Sequence, residues 1–217
     1  MLSDKMPVKV KICGITNETD GIVAAEAGAD VLGFVFYEQS PRSVTVTAAA
    51  KIVRSLPPLT VKAGVFVDAP EDLVVRAIAE CGLNLLQFHG QETPGYCVQF
   101  GLMSIKAIRV QDRSSIDCLG RYMTDAWLLD AYSADKIGGT GEKFNWDLAL
   151  EARALGRPIF LAGGLNPQNI VEAVRYVRPY AVDVSSGVEM TPGRKDHEKV
   201  REFIKAAKNA VIPGEDL

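Results

Sequence analysis

The 217-residue sequence lacks the patterns that mark membrane proteins, secreted proteins and metal-bound scaffolds. No apolar run approaches the roughly 18 residues that a membrane span needs. Residues 1–7 contain no apolar segment of the kind that forms the centre of a signal peptide. None of the 4 cysteines forms a C-x-x-C pair, and their irregular spacing argues against a zinc site or a disulfide framework. We therefore expect a cytoplasmic protein with reduced thiols and no metal.

A strong excess of charge of one sign is also missing. The sequence has 24 basic and 27 acidic residues, which gives a formal net charge of −3. Without a basic field, neither nucleic acid nor an anionic membrane surface is expected as a partner. A small anionic molecule could still be bound by local donors. The 47% of hydrophobic and 24% of charged residues are ordinary for a globular protein, and no linker is evident. We predict one domain over residues 1–217.

Two glycine-rich nucleotide-binding motifs are absent. The first predicted strand is followed by Gly14 alone and not by the G-x-G-x-x-G of a dinucleotide-binding turn. The segment Gly138–Gly141 lacks the Lys-Ser/Thr pair that completes a phosphate-binding P-loop. We interpret this segment either as a lid over a binding site or as a plain surface loop.

Apolar stretches of strand length alternate with helical stretches along the whole chain. The first strand, residues 8–13, alternates valine and isoleucine with Lys9 and Lys11, which we expect to form no functional patch. Several later strands are apolar throughout, as parallel strands buried on both sides are. The other predicted strands cover residues 31–36, 61–67, 85–89, 104–109, 126–130, 158–162 and 180–184. Helices are predicted between them, including a weak one at 114–122 and one that begins at Asn166-Pro167. Eight strand–helix units predict a closed (β/α)₈ barrel, with an open doubly wound sheet as the alternative.

Polar residues gather where the predicted strands end, which is where barrel enzymes place their active sites. Small residues after strands seven and eight would let backbone N–H groups approach a phosphate, although glycines also serve in simple turns. The phosphate candidates are Gly163, Gly164, Ser185, Ser186 and Gly187. The other strand-end candidates are Cys13, Arg42, Asp68, His89, Arg109, Asp130 and Asp183.

Cys13 and Asp130 suggest acid–base chemistry. Nearby positive partial charge could lower the pKa of the Cys13 thiol and make it a proton acceptor. Asp130 could be the matching acid if it is protonated when substrate binds. The alternatives are a cysteine that only packs and an aspartate that caps a loop. Arg42 suits a carboxylate or a phosphate but could be a surface residue, and His89 could be a ligand, an acid or a structural residue.

Taken together, these residues and their neighbours along the chain resemble the phosphoribosylanthranilate isomerase family. The matching segments follow the order of that family from about residue 8 to residue 205, with Phe88 in place of the usual leucine as the one small departure. They are Lys11–Thr16, Gly33–Phe36, Ser40–Arg42, Gly64–Val67, Gln87–Gly90, Leu129–Asp130, Gly138–Gly141, Leu161–Leu165, Asp183–Glu189 and Pro192–Asp196.

The resemblance implies a (β/α)₈ barrel of the ribulose-phosphate-binding type and a cofactor-free Amadori rearrangement of a small phosphorylated substrate. By similarity, Cys13 is the general base, Asp130 the general acid and Arg42 the ligand of the anthranilate carboxylate. His89 and Asp183 are further candidates for substrate contact. Two alternatives stay open: the related phosphosugar isomerase of histidine biosynthesis, which has an aspartate where Cys13 stands, and a non-catalytic phosphosugar-binding barrel. The chain is expected to be a monomer or a homodimer.

Overall fold

Eight parallel strands close into a barrel in the computed structural model, which describes residues 7–131 and 146–210. Each strand pairs with the next along the chain, and the first strand pairs with the eighth, so the barrel has no free edge. This closure confirms the predicted (β/α)₈ fold and rules out the open sheet. The barrel strands are β1 (Lys9–Cys13), β2 (Val31–Val35), β3 (Val61–Phe66), β4 (Leu85–Phe88), β5 (Met103–Val110), β6 (Ala126–Ala131), β7 (Ile159–Ala162) and β8 (Ala181–Val184).

Helices cover the outside of the barrel and bury the outward-facing side chains of the strands. Val10 and Ile12 of β1 are among these outward residues, and both are completely buried in the main apolar core. Asn17 caps the first helix through its side chain, which accepts the backbone N–H of Asp20. None of the helices in the described ranges is long and apolar enough to cross a membrane. The helices are α1 (Glu18–Glu26), α2 (Val46–Arg54), α3 (Glu71–Cys81), α4 (Pro94–Val98), α5 (Trp146–Ala154), α6 (Ile170–Val177) and α7 (His197–Lys208).

The inside of the barrel has its own, smaller apolar cluster, which includes Val31, Leu128 and Phe160. Strand alternation determines its membership, because every second residue of a strand points inward. In β1 the inward residues are Lys11 and Cys13, so the polar side of this strand faces the barrel interior and not solvent. The interior is therefore apolar except for a few buried polar side chains, and these belong to the candidate site.

Two predicted helices differ from those observed. Residues 114–122 form two short 3₁₀ turns, Arg113–Ile116 and Leu119–Arg121. The Asp112 carboxylate accepts the backbone N–H of Ser115, and this local bond favours a tight turn over an α-helix. The predicted helix start at Asn166 is also wrong, because α6 begins at Ile170. The Asn166 side chain accepts the N–H groups of Gln168 and Asn169 and holds a turn there.

A small antiparallel hairpin between β8 and α7 was not predicted. Its strands are β9 (Glu189–Thr191) and β10 (Arg194–Lys195). Thr16, which follows β1, donates its hydroxyl hydrogen bond to the carbonyl oxygen of Gly193 in the turn of this hairpin. The hairpin therefore lies against the carboxyl end of β1 and brings two charged side chains to it.

Candidate active site

Cys13 lies at the carboxyl end of β1 and is 8% exposed. Its register partner in β2 is Gly33, and a Cβ atom on Gly33 would lie 2.8 Å from the Cys13 sulfur. The glycine therefore leaves room for the thiol at the wall of the barrel. Burial raises the pKa of the Cys13 thiol, and Asp183 adds to this effect while Lys11 opposes it. The expectation of a lowered thiol pKa is wrong, because desolvation outweighs the neighbouring positive charge.

Lys11 lies inside the barrel, two residues before Cys13 on the same face of β1. Its ammonium group is completely buried and lies 2.9 Å from a carboxylate oxygen of Asp183. Burial opposes the charged form, but Asp183 and Cys13 together raise the pKa of Lys11 above its usual value. Lys11 is therefore a buried, paired cation and not part of a solvent-exposed face of β1. The alternation of polar and apolar residues in a strand does not show whether the polar side faces solvent or the inside of a barrel.

A second buried lysine reaches Cys13 from the hairpin. The Lys195 ammonium donates to the backbone carbonyl of Cys13 at 2.6 Å and to that of Ser185 at 3.2 Å. It also forms an ion pair with Glu189 at 2.9 Å, and neither side chain is more than 4% exposed. Burial lowers the pKa of Lys195 and Glu189 opposes this shift. Lys195 thus joins the ends of β1 and β8.

Arg42 shares the same carboxylate. Its Nε and Nη2 atoms donate to Glu189 at 2.9 and 2.7 Å, which is the two-point geometry of a strong arginine–carboxylate pair. Arg42 packs beside Gly14, where a Cβ atom would lie 2.7 Å from the arginine Cδ. Glu189 uses one edge of the guanidinium group. The outer edge, between Nη1 and Nη2, keeps donors for a second anion.

His89, after β4, and Asp130, in β6, form a separate pair at the barrel mouth, with only β5 between their strands. The His89 Nε2 atom lies 3.4 Å from a carboxylate oxygen of Asp130, whose side chain is 31% exposed. The buried Gln87 side chain lies behind, with its amide nitrogen 3.3 Å from His89 Nδ1. If that amide donates, the imidazole proton is on Nε2 and faces Asp130. No hydrogen bond or ion pair connects Asp130 to Cys13, so a substrate would have to lie between them.

The predicted phosphate residues lie together at the ends of β7 and β8. Gly163 and Gly164 have φ values of +84° and +67°, and Gly164 is exposed. Ser185 has a buried hydroxyl oxygen without a partner among the described residues. Ser186 begins a 3₁₀ turn that ends at Val188. Within the described ranges, no hydrogen bond uses the N–H groups of Gly164 or Ser186.

Gly187 explains why the two loops can meet. A Cβ atom on Gly187 would overlap the carbonyl oxygen of Leu165 in the loop after β7. Only glycine therefore permits this close approach of the two backbones. The contact keeps Gly163 and Gly164 of one loop beside the serines of the other.

Three residues of the site were not predicted from residue type and position: Lys11, Lys195 and Glu189. All three lie in segments that carry the family resemblance, which was the signal available for finding them. Arg109 and Asp68 are exposed at the ends of their strands. The segment Gly138–Gly141, interpreted above as a lid or a plain surface loop, lies outside the described residues. The described part of the chain has no group of three or more histidine, cysteine, aspartate or glutamate side chains suited to a metal ion.

Fold and site together define an enzyme of the (β/α)₈ class, because a buried thiol, carboxylates and cations converge at the carboxyl ends of the barrel strands. The family model described as N-(5'-phosphoribosyl)anthranilate (PRA) isomerase matches residues 10–206. The chain therefore belongs to the phosphoribosylanthranilate isomerase family.

Curated relatives are similar over nearly their whole length. The N-(5'-phosphoribosyl)anthranilate isomerase of Trichlorobacter lovleyi is 52% identical over 204 residues, which cover 94% of this chain and 100% of the relative. The protein of the same name from Geobacter sp. strain M21 is 55% identical over 200 residues, with 92% and 98% covered.

Solved structures agree in fold. Phosphoribosyl anthranilate isomerase from Thermotoga maritima superimposes with a TM-score of 0.86 at 41% identity, covering 93% of this chain and 98% of that one. A phosphoribosyl anthranilate isomerase in complex with reduced 1-(o-carboxyphenylamino)-1-deoxyribulose 5-phosphate gives a TM-score of 0.84 at 39% identity, with the same coverage. The barrel of this chain is thus the barrel of the family, with all its strands in place.

Proposed function

We propose that this chain catalyses the Amadori rearrangement of N-(5-phosphoribosyl)anthranilate to 1-(2-carboxyphenylamino)-1-deoxyribulose 5-phosphate, a step of tryptophan biosynthesis. Membership of the family, shown by the match over residues 10–206, is the observation that carries the proposal. The residue roles below are supported by the positions of the side chains at the barrel mouth. An acid and a base on separate strands suit a reaction that protonates one atom of the sugar and deprotonates another.

Asp130 is proposed as the general acid. In its protonated form it donates a proton to the ribose ring oxygen, so that the ring opens to a cationic iminium ion. The contact between His89 and Asp130 supports a role for His89 in orienting this carboxyl group. Because the side chain of Asp130 is partly exposed at the end of β6, a substrate at the mouth can reach it.

Cys13 is proposed as the general base. The iminium ion acidifies the neighbouring C2 proton, so a modest base such as a thiolate suffices to remove it. The resulting enolamine tautomerises to the ketone product. This scheme needs no cofactor. The inward position of Cys13 at the end of β1 supports the role, because a sugar at the barrel mouth would lie over the thiol.

Arg42 and the two small-residue loops are proposed to bind the ends of the substrate. The outer edge of the Arg42 guanidinium group would bind the anthranilate carboxylate, while Glu189 holds its other edge. The phosphate would be bound by Gly163, Gly164 and the segment Ser185–Gly187, with the Ser185 hydroxyl as an additional donor. Binding at both ends would place C2 between the base and the acid. Asp183 is engaged by Lys11, so a contact with substrate would add to that pair.

The test is to follow the loss of phosphoribosylanthranilate fluorescence with the purified chain and with the variant Cys13→Ala. We expect turnover by the unaltered chain and a fall of about 10²–10⁴-fold in kcat in the variant, because general acid–base catalysis contributes that much. Cys118→Ala is the matched control, since Cys118 lies in a turn outside the barrel mouth and should leave kcat unchanged. No turnover by the unaltered chain would refute the function. Near-normal turnover by Cys13→Ala would remove the base assignment alone. The histidine-pathway substrate, assayed in parallel, tests the related activity.

The location of the enzyme and its oligomeric state belong to the same proposal. We place the enzyme in the cytoplasm, where its four free cysteines would stay reduced. We propose a monomer or a homodimer that binds no nucleic acid; the Thermotoga maritima protein is described as dimeric. Light scattering after size-exclusion chromatography distinguishes the two states.

A further inference from the structure

We propose that Lys11 and Asp183 form a charge-balancing pair that controls the state of Cys13: the Lys11 ammonium stabilises the thiolate, and Asp183 stabilises the same ammonium when Cys13 is a neutral thiol. Lys11 is thus a positioning residue that acts through Cys13. The inference rests on the proposed role of Cys13 as the base. It adds two residues to the reaction, one of them without any predicted role, and assigns each a distinct effect.

The geometry places the ammonium group between the two partners. Lys11 and Cys13 share the inward face of β1, and Asp183 is the register partner of Lys11 in β8. A Cβ atom on Gly33 would lie 3.2 Å from the Lys11 nitrogen and 2.8 Å from the Cys13 sulfur, so both groups lie against the same glycine. The ammonium group binds Asp183 at 2.9 Å. The two distances from the Gly33 position also place the Lys11 nitrogen no more than about 6 Å from the Cys13 sulfur.

Burial makes the charge of Lys11 consequential. The side chain has 0% exposure, so solvent does not screen its interaction with a thiolate. The charged form is held in place, since Asp183 and Cys13 more than offset the burial that lowers the pKa of Lys11. A buried ammonium next to a thiol is one of the settings that favour the thiolate.

The other charged groups near Cys13 have partners of their own. From the hairpin, Lys195 approaches the Cys13 backbone carbonyl, and its charge is balanced by Glu189 at 2.9 Å. From the loop after β2, Arg42 is paired with the same glutamate at 2.7 Å. The facing strand β2 offers only Gly33 and Val35, which carry no charge. Among the described residues, Lys11 is the cation that acts most strongly on the Cys13 thiol, and Lys195 acts more weakly in the same direction.

The proton balance is simple. In the reaction the thiolate accepts the C2 proton of the iminium ion and becomes a thiol, and Lys11 stays an ammonium group throughout. Before this step the ammonium faces two negative charges, and after it the Asp183 carboxylate alone remains. Asp183 thus keeps a buried cation paired after the thiolate has been neutralised. The same carboxylate repels the thiolate and weakens its stabilisation, so the two residues should move the thiol pKa in opposite directions.

The experiment is an ultraviolet titration of the Cys13 thiolate in the resting protein, with the spectrum of Cys13→Ala subtracted to remove the other cysteines. We expect Lys11→Met to raise the thiol pKa by about 1 to 3 units and Asp183→Asn to lower it, which is the range for a neighbouring charge. Lys9→Met is the control, because Lys9 lies on the same strand but pairs with Asp30 at 3.4 Å and is partly exposed. The pKa of the Cys13 thiol in Lys9→Met should equal that in the unaltered chain.

A double variant shows whether a change in the thiol pKa comes only from misfolding around an unpaired charge. Lys11→Met leaves Asp183 unpaired in the barrel, so the double variant Lys11→Met/Asp183→Leu, which has neither charge, is titrated as well. Its thiol pKa should rise less than that of Lys11→Met, because the lost repulsion by Asp183 offsets part of the lost attraction by Lys11, and the pH at which kcat reaches half its maximum should follow the thiol pKa in each variant. A thiol pKa in the double variant equal to or above that of Lys11→Met, an unchanged thiol pKa in Lys11→Met, or a shift of both single variants in one direction would overturn the proposal.

The titration uses no substrate, which separates this inference from the proposed function. If the thiol pKa moves as expected but Cys13→Ala retains turnover, the pair controls the thiol and the base assignment fails. If Cys13→Ala is inactive but the thiol pKa is indifferent to Lys11, the base assignment stands and the charge-balancing pair is refuted.

Discussion

Glu189 is the single carboxylate on which two cations of the site depend, and Glu189→Gln is the change that tests this arrangement. Arg42 donates to it from Nε and Nη2, and Lys195 binds it at 2.9 Å. The Lys195 ammonium in turn binds the backbone carbonyls of Cys13 and Ser185. Glutamine keeps the shape of the side chain but removes its charge, so Lys195 is left as a buried cation without a counter-ion.

The magnitude follows from burial. Lys195 is 0% and Glu189 4% exposed, so solvent screens their attraction very little. Removing one partner from a buried ion pair destabilises a protein by about 3 to 5 kcal/mol, and the remaining amide oxygen favours the lower value. For a chain of this size about 3 kcal/mol lowers Tm by about 6 to 12 °C. We also expect a higher KM, because Arg42 loses the carboxylate that fixes its guanidinium group.

The assay is urea unfolding combined with steady-state kinetics. The control is Glu151→Gln, which breaks the exposed ion pair between Glu151 and Arg113. Exposed pairs contribute about 0 to 1 kcal/mol, so this variant should resemble the unaltered chain. A loss below about 1 kcal/mol in Glu189→Gln, equal to that of the control, would refute the view that this carboxylate neutralises a buried lysine.

Three further predictions follow from the same structure. The loss of stability caused by Glu189→Gln should become smaller in acid. Burial raises the pKa of Glu189, but Arg42 and Lys195 more than offset it, so the folded-state pKa lies below the usual glutamate value of about 4.3. The carboxylate therefore stabilises the fold above about pH 4.3 and loses this effect as pH falls through the folded-state pKa, which unfolding experiments at several pH values measure. Gly187→Ala should raise KM and lower Tm because its Cβ atom overlaps the Leu165 carbonyl, whereas Gly120→Ala, with no atom within 4 Å of the added Cβ, should do neither. Asp130→Asn should reduce kcat by about 10²–10⁴-fold in the fluorescence assay, and a mild effect would mean that another group is the acid.

The fold was predictable because its signal is repeated. Eight apolar stretches of strand length alternate with helical stretches, and each unit shows the same hydrophobic pattern of a strand followed by a helix. Where the prediction was wrong, local hydrogen bonds had decided: the Asp112 side chain holds a 3₁₀ turn, and the Asn166 side chain delays the start of α6. Such competition between a side chain and the backbone leaves little trace in hydrophobic periodicity.

The site was predictable only in part. Residue type and strand position together identify several site candidates from the sequence: Cys13, Asp130 and the small residues after β7 and β8. Lys195 and Glu189 were not identified in this way, because the short hairpin that carries them has no repeated pattern and reaches Cys13 from a distant part of the chain. The roles of all these residues in catalysis or binding stay predictions until the variants are measured.

The sequence by itself predicted eight strand–helix units and the end at which polar residues gather, and it favoured a closed barrel over an open sheet, because alternation and strand spacing are local properties of the chain. It also showed that β1 has a polar side. Tertiary structure alone decided that this side faces inward, since closing a sheet turns one face of every strand away from solvent. Closure thereby places Lys11 beside Asp183, a residue 172 positions away in the chain, and against the same glycine as Cys13.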